Sequence, residues 1–122
     1  MQDLNFAGDF LPVTIRVGGS APFIFDGFED ENGDPVTTIA SASLKFYSGV
    51  VTGNSALTLI VAPTMTVTDG SQVTGELTPT QTRLFTPGDD YSYCYGFEIT
   101  DSNGRVYPIC YGPVEVQKEL PA

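Results

Sequence analysis

YSYCYGFEITDSNGRVYPICYG, residues 91–112, carries five of the chain's six tyrosines and both of its cysteines around a single turn signal. Asn103-Gly104 is the dipeptide that supplies the positive φ angles of a tight hairpin, so the stretch predicts two antiparallel strands, about 90 to 100 and 105 to 117. Side chains alternate along a strand, which puts Tyr91, Tyr93, Tyr95, Phe97 and Ile99 on one face and Ser92, Cys94, Gly96, Glu98 and Thr100 on the other. The large set faces the core. An even loop pairs each residue of the first strand with one of opposite parity in the second, adding Val106, Pro108, Cys110, Gly112, Val114 and Val116 to the core face. Tyr107, Ile109 and Tyr111 then line the outer face beside Cys94 and Gly96.

That outer stripe has two readings. Aromatic side chains placed opposite a glycine shield backbone, and a tyrosine-rich outer face on a small domain is also a surface for a neighbouring subunit. The same parity separates the thiols. An even loop places Cys94 and Cys110 on opposite faces, whereas an odd, bulged one would bring them together. The expectation is two free thiols, with Cys110 a small hydrophobe of the core.

The remainder of the chain extends the β pattern. Val13, Ile15 and Val17 alternate with Thr14 and Arg16 in a first strand, 12–17, that Gly18-Gly19-Ser20 ends. Phe23, Phe25 and Phe28 mark a second strand, closed by the acidic turn EDENGDP at 29–35. Leu44 and Phe46 alternate with Lys45 and Tyr47 in a third, near 42–48, and further strands follow near 56–62, 64–68 and 72–78. Thr78 and Pro79 suit the cap and first position of a short helical turn. Thr86-Pro87-Gly88-Asp89 is a turn. The sum is an all-β antiparallel sandwich of seven to eight strands over residues 12–118, with an extended N-terminal arm at 1–11 and a tail at 119–122. The arm has no strand period and carries Leu4, Phe6 and Phe10, apolar side chains without an obvious place in the core. They are candidate contacts with a neighbour, together with Tyr107, Ile109 and Tyr111.

Composition narrows the function. Lys+Arg 5 against Asp+Glu 15 leaves a net charge of −10, which repels phosphate backbones and anionic membrane surfaces. No nucleic acid and no membrane partner is expected. The N-terminus, MQDLNFAGDF, has neither a basic nor an apolar export region, and the longest apolar stretch, Ala56 to Ala62, is too short to span a bilayer. With His 0 the chain lacks the usual general base and imidazole ligand, so a hydroxyl nucleophile would depend on Lys45 or Lys118. Two cysteines cannot complete a thiolate zinc site. Asp26, Glu29, Asp30, Glu31 and Asp34 are numerous enough for calcium but miss the spacing of the D-x-[DN]-x-[DN]-G loop, and read as a solvated turn. Gly18-Gly19 is not followed by a phosphate-binding lysine, and Gly88-Asp89-Asp90 is a turn. The chain is expected to be no enzyme and to hold no cofactor.

The order of the turn signals, DENGDP at 30–35, LTPTQTRLFTPGDDYSY at 77–93, ITDSNGRVYP at 99–108 and GPVEV at 112–116, resembles the immunoglobulin-like β-sandwich module of tailed-phage virion proteins, such as the N-terminal domain of baseplate upper proteins. The likeness covers about residues 11 to 117. At the first glycine break this chain reads VGGSAPF, where the family often carries an acidic residue. The resemblance implies an immunoglobulin-like fold and a structural part in a phage particle: baseplate, tail, neck or capsid decoration. It implies other virion proteins as partners, a homo-oligomer in a symmetric assembly, and a location in the virion after assembly in the host cytoplasm. It transfers no catalytic residues. A second reading is a carbohydrate-binding sandwich in which Tyr107 and Tyr111 stack on sugar faces.

Overall fold

β-branched and aromatic residues at alternate positions, cut by glycine and proline, produce strands throughout the computed structural model, which describes residues 9–30, 32–49, 57–88 and 92–121. The strands are β1 (Asp9–Phe10), β2 (Val13–Arg16), β3 (Ala21–Phe25), β4 (Ile39–Ser48), β5 (Thr58–Val61), β6 (Met65–Thr68), β7 (Gln72–Leu77), β8 (Tyr93–Asp101) and β9 (Val106–Gln117), with one short helix, α1 (Pro79–Thr82). The chain is an all-β sandwich. A six-stranded sheet runs β1-β9-β8-β4-β5, with β2 also on β9, and faces a three-stranded sheet, β3-β7-β6. Every pairing is antiparallel except those of β1 and β2, which run parallel to β9.

The core lies where the inner faces meet. Leu44, Phe46, Tyr95, Phe97 and Ile99 of the large sheet are fully buried against Val73 and Leu77 of the small one. Phe25 stacks on Phe97 with ring centroids 3.8 Å apart, and Phe23 meets Phe46 at 5.8 Å. The second strand ends at Phe25 rather than reaching Phe28, which is buried from the loop beyond and packs 6.1 Å from Phe97.

Local signals account for the connections. Thr78 caps α1 in a reciprocal pair with Gln81, and Pro79 takes the first helical position as expected. The buried Thr82 hydroxyl donates to the Gly19 carbonyl at 2.9 Å and accepts from the Gly18 amide at 3.0 Å, tying α1 to the β2–β3 turn.

Asp9 and Phe10, expected within a free arm, are paired with Cys110 and Tyr111 of the chain's own β9. The chain then kinks inward at Leu11, whose amide donates to Tyr111 and whose carbonyl accepts the Tyr95 hydroxyl at 2.7 Å. Gly112 makes room for this kink, since a Cβ there would collide with the Leu11 carbonyl. Leu4 and Phe6 lie outside the described residues.

The β8–β9 hairpin departs from the expected even loop twice. Asp101 donates its amide to the Arg105 carbonyl, which leaves three residues, 102–104, in the loop, with Gly104 at φ 83°. Three is odd. Then β9 gains one residue between Cys110, opposite Phe97, and Pro108, opposite Glu98, so that Ile109 is an unpaired bulge residue. The two irregularities cancel. From Cys110 onward the expected parity holds, and Cys110, Gly112 and Val114 face the core. Between the loop and the bulge it is reversed. Val106 and Pro108, expected inside, stand opposite Thr100 and Glu98 on the outer face, while Tyr107 stands opposite the buried Ile99.

Candidate functional site

The outer face of the large sheet can be read row by row from the strand registers. One row runs Leu59, Tyr47, Cys94, Pro113 from β5 to β9, and the next runs Lys45, Gly96, Tyr111, Phe10 from β4 to β1. Phe10 is 61% exposed and meets the Tyr111 ring edge-on at 5.4 Å, and Leu59 at the opposite edge is 53% exposed. Between them, where Gly96 offers no side chain, lies a dimple of about 110 Å³ lined by Ser43, Lys45, Tyr47, Gly96, Phe97 and Glu98.

Electrostatically this face is neutral. Alternation along β2, β4, β8 and β9 gives it Arg16 and Lys45 against Glu98 and Glu115 among the described residues, while the chain as a whole carries −10. Burial, followed by the neighbouring Cys94 and Glu98, pushes the Tyr47 phenol up from its ordinary range, so the hydroxyl stays protonated. Burial likewise raises the Cys94 thiol to about 11.

Of the interface residues predicted from sequence, the structure brings Phe10 and Tyr111 together on this face. Tyr107 and Ile109 do not join them. Tyr107 turns toward the core and donates its hydroxyl to Asp101 Oδ2 at 3.3 Å, with the Arg105 guanidinium 5.1 Å over its ring. Ile109, displaced by the bulge, packs on the core cluster. The predicted stripe is therefore broken, and Tyr107 and Tyr111 do not share the face that a sugar-stacking pair needs. Tyr47, Leu59 and the Gly96 dimple were missed. The signal for Tyr47 was present, since it alternates with Lys45 against the core residues Leu44 and Phe46.

Both cysteines are buried thiols, Cys94 on the outer side of β8 and Cys110 on the core side of β9, where its sulfur accepts the Tyr95 hydroxyl at 3.7 Å. Ellman titration without reductant should find two thiols per chain after denaturation. Native protein at mildly alkaline pH should react far more slowly, because Cys94 is buried and predominantly protonated. The folded-state value of Cys94 lies above the ordinary 9.0. Its contribution to stability is therefore complete below pH 9 and is lost as pH climbs toward 11. A bridge between the two, found by mass spectrometry, would overturn this arrangement.

In the acidic turn, Asp30 Oδ1 accepts the Asn32 and Asp34 amides at 2.9 and 3.0 Å, so this carboxylate closes its own loop. Glu31 lies outside the described residues, among which no group of three potential metal ligands occurs.

At the corner between β7 and β8, the Thr86 amide donates to the Tyr93 hydroxyl at 2.9 Å. A tyrosine at the start of that strand, bonded back to the backbone, is a mark of one sandwich class. The sandwich is immunoglobulin-like. β3, β7 and β6 take the places of strands B, E and D, and β9, β8, β4 and β5 those of G, F, C and C′. Tyr95, two residues after the corner tyrosine, stands where such domains often carry a disulfide. Its ring continues an aromatic column through Phe46 at 6.0 Å to Phe23. Among solved structures the chain is similar to one described as the crystal structure of chicken TCR, with a TM-score of 0.49 and 10% identity over 93% of this chain and 56% of that one. No family model and no curated protein matches.

Proposed function

We propose that the chain is a non-enzymatic structural protein of a tailed-phage virion, in the baseplate, tail, neck or capsid decoration. It assembles through the outer face of its large sheet and its N-terminal segment. The observation that carries this reading is the pair of exposed apolar side chains at the two edges of a charge-neutral sheet face, Phe10 beside Tyr111 and Leu59 beside Tyr47. Such a face is disfavoured in water, and covering it with protein recovers the hydrophobic contribution of each ring. The order of turn motifs from DENGDP to GPVEV adds the phage resemblance. An aromatic column in place of a disulfide suits folding in a reducing host cytoplasm. Repetition around a symmetric particle would multiply individually weak contacts.

The test is incorporation. In a complementation assay, purified particles should contain the wild-type chain, and Phe10→Ser with Tyr111→Ser should lower its occupancy by about tenfold or more. The melting temperature of the isolated variant should stay close to that of the wild type, because Phe10 is exposed and Tyr111 partly so. Absence of the chain from purified particles, or undiminished occupancy of the variant, would remove the reading.

A further inference from the structure

We propose that two copies of the chain pair face to face about a two-fold axis running along β9, each inserting Phe10 into the Gly96 dimple of the other. This deepens the sheet-face reading above by naming the occupant as a second copy. The geometry rests on one row of the large sheet, Phe10, Tyr111, Gly96 and Lys45, on β1, β9, β8 and β4. Strands lie about 4.8 Å apart, so the Phe10 knob stands one strand to one side of Tyr111. The dimple between Gly96 and Lys45 lies about one and a half strands to the other. A two-fold parallel to the strands and close to Tyr111 exchanges these positions and keeps them in the same row. Knob then meets hole twice, as a closed isologous contact requires.

Size, charge and area agree with that occupant. A cavity of about 150 Å³ holds a whole benzene molecule, so an open dimple of about 110 Å³ admits the leading edge of a phenyl ring. Phe10 is poised to supply one, being 61% exposed and held edge-on against Tyr111. Two chains of charge −10 repel each other wherever acidic surface meets acidic surface. The outer face, with Arg16 and Lys45 balancing Glu98 and Glu115, is where copies can approach without that penalty. Five strand positions across, with β1 and β2 in line along β9, and nine residues along β8 offer roughly 24 Å by 30 Å, close to the area each partner buries in a standard interface.

Sedimentation velocity over a concentration series, together with thiol cross-linking, tests the pairing. The wild type is expected to form dimers that strengthen with added salt, as net repulsion is screened. Phe10→Ser should weaken dimerisation by about tenfold or more without altering the fold. Mixing the single variants Phe10→Cys and Lys45→Cys under mild oxidation should give a 10–45 bridge, identified by mass spectrometry, that neither variant forms with itself. A wild type that stays monomeric throughout, a Phe10→Ser chain that dimerises as tightly, or bridges within one variant alone would each overturn the two-fold pairing. These outcomes are independent of particle incorporation. A monomer that still enters particles defeats only the pairing, and a dimer absent from particles defeats only the proposed function.

Discussion

Phe97→Ala is expected to lower stability by about 4 kcal/mol, since truncating a buried phenylalanine removes its transfer energy and leaves a cavity, together about 3–5 kcal/mol. Phe97 is fully buried at the middle of β8, stacked on Phe25 at 3.8 Å and 6.1 Å from Phe28, with Leu44 and Cys110 opposite it on the flanking strands. It therefore joins the two sheets and the loop after β3 at one point. Neighbours fixed by two ladders cannot move in to fill the space. Domains of this size are stable by about 5–15 kcal/mol in total, so the variant should melt more than about 10 °C lower. Phe10→Ala, which truncates a ring of the same size on the outer face, should cost under about 1 kcal/mol in the isolated chain. Urea unfolding of both variants checks the contrast. A loss below about 1.5 kcal/mol at Phe97 would mean that the sheets do not close on it.

Asp101→Ala comes next, at about 2–3 kcal/mol, the range for losing hydrogen bonds to a charged acceptor. Its carboxylate is almost buried at the end of β8, where Oδ1 accepts the Asn103 and Arg105 amides at 2.9 Å each and Oδ2 accepts the Tyr107 hydroxyl. Alanine leaves three donors without this acceptor and releases the ring that the bulge turned inward. Asp101→Asn should recover much of the loss, because an amide oxygen can still receive both backbone N–H groups. The acidic turn supplies an internal control. Asp30 accepts from Asn32 and Asp34 in the same pattern but in a more exposed loop, so Asp30→Ala should cost only about 1 kcal/mol. Equal losses at the two sites, in thermal or urea unfolding, would contradict this account.

Much of this architecture was legible in the sequence, because it follows from periodicity and turn chemistry. The alternation in 13–17 and 42–48, the Thr78-Pro79 cap and the large face of β8 each map onto the element expected, with ends shifted by a few residues. The candidate site was legible only in part. Phe10 and Tyr111 were marked, but Tyr107 and Ile109 were placed on the wrong side. Nothing in YPIC announces a bulge, since its cause is tertiary: Ile109 gains burial against the core, and Tyr107 gains the Asp101 carboxylate. The docking of Asp9–Phe10 on β9 is also invisible to local pattern. It depends on an open edge contributed by residues a hundred positions away and on the room left by Gly112.

The odd loop and the bulge in the β8–β9 hairpin act together as a frameshift and its suppressor do in a reading frame. Either alone would put every side chain from Cys110 to Gln117 out of phase, turning Val114 to solvent and Glu115 to the core. Both together confine the departure to Val106, Tyr107, Pro108 and the unpaired Ile109. At this chain length the loop and the bulge are therefore tied: a hairpin closed on a four-residue loop, 102–105, keeps Cys110 opposite Phe97 only if Ile109 joins the ladder opposite Glu98. A deletion of one residue inside the 102–104 loop, by contrast, leaves the register beyond it untouched while the bulge is kept, and should be tolerated in a library selected for folding, whereas a deletion or insertion between Cys110 and Gln117 should not.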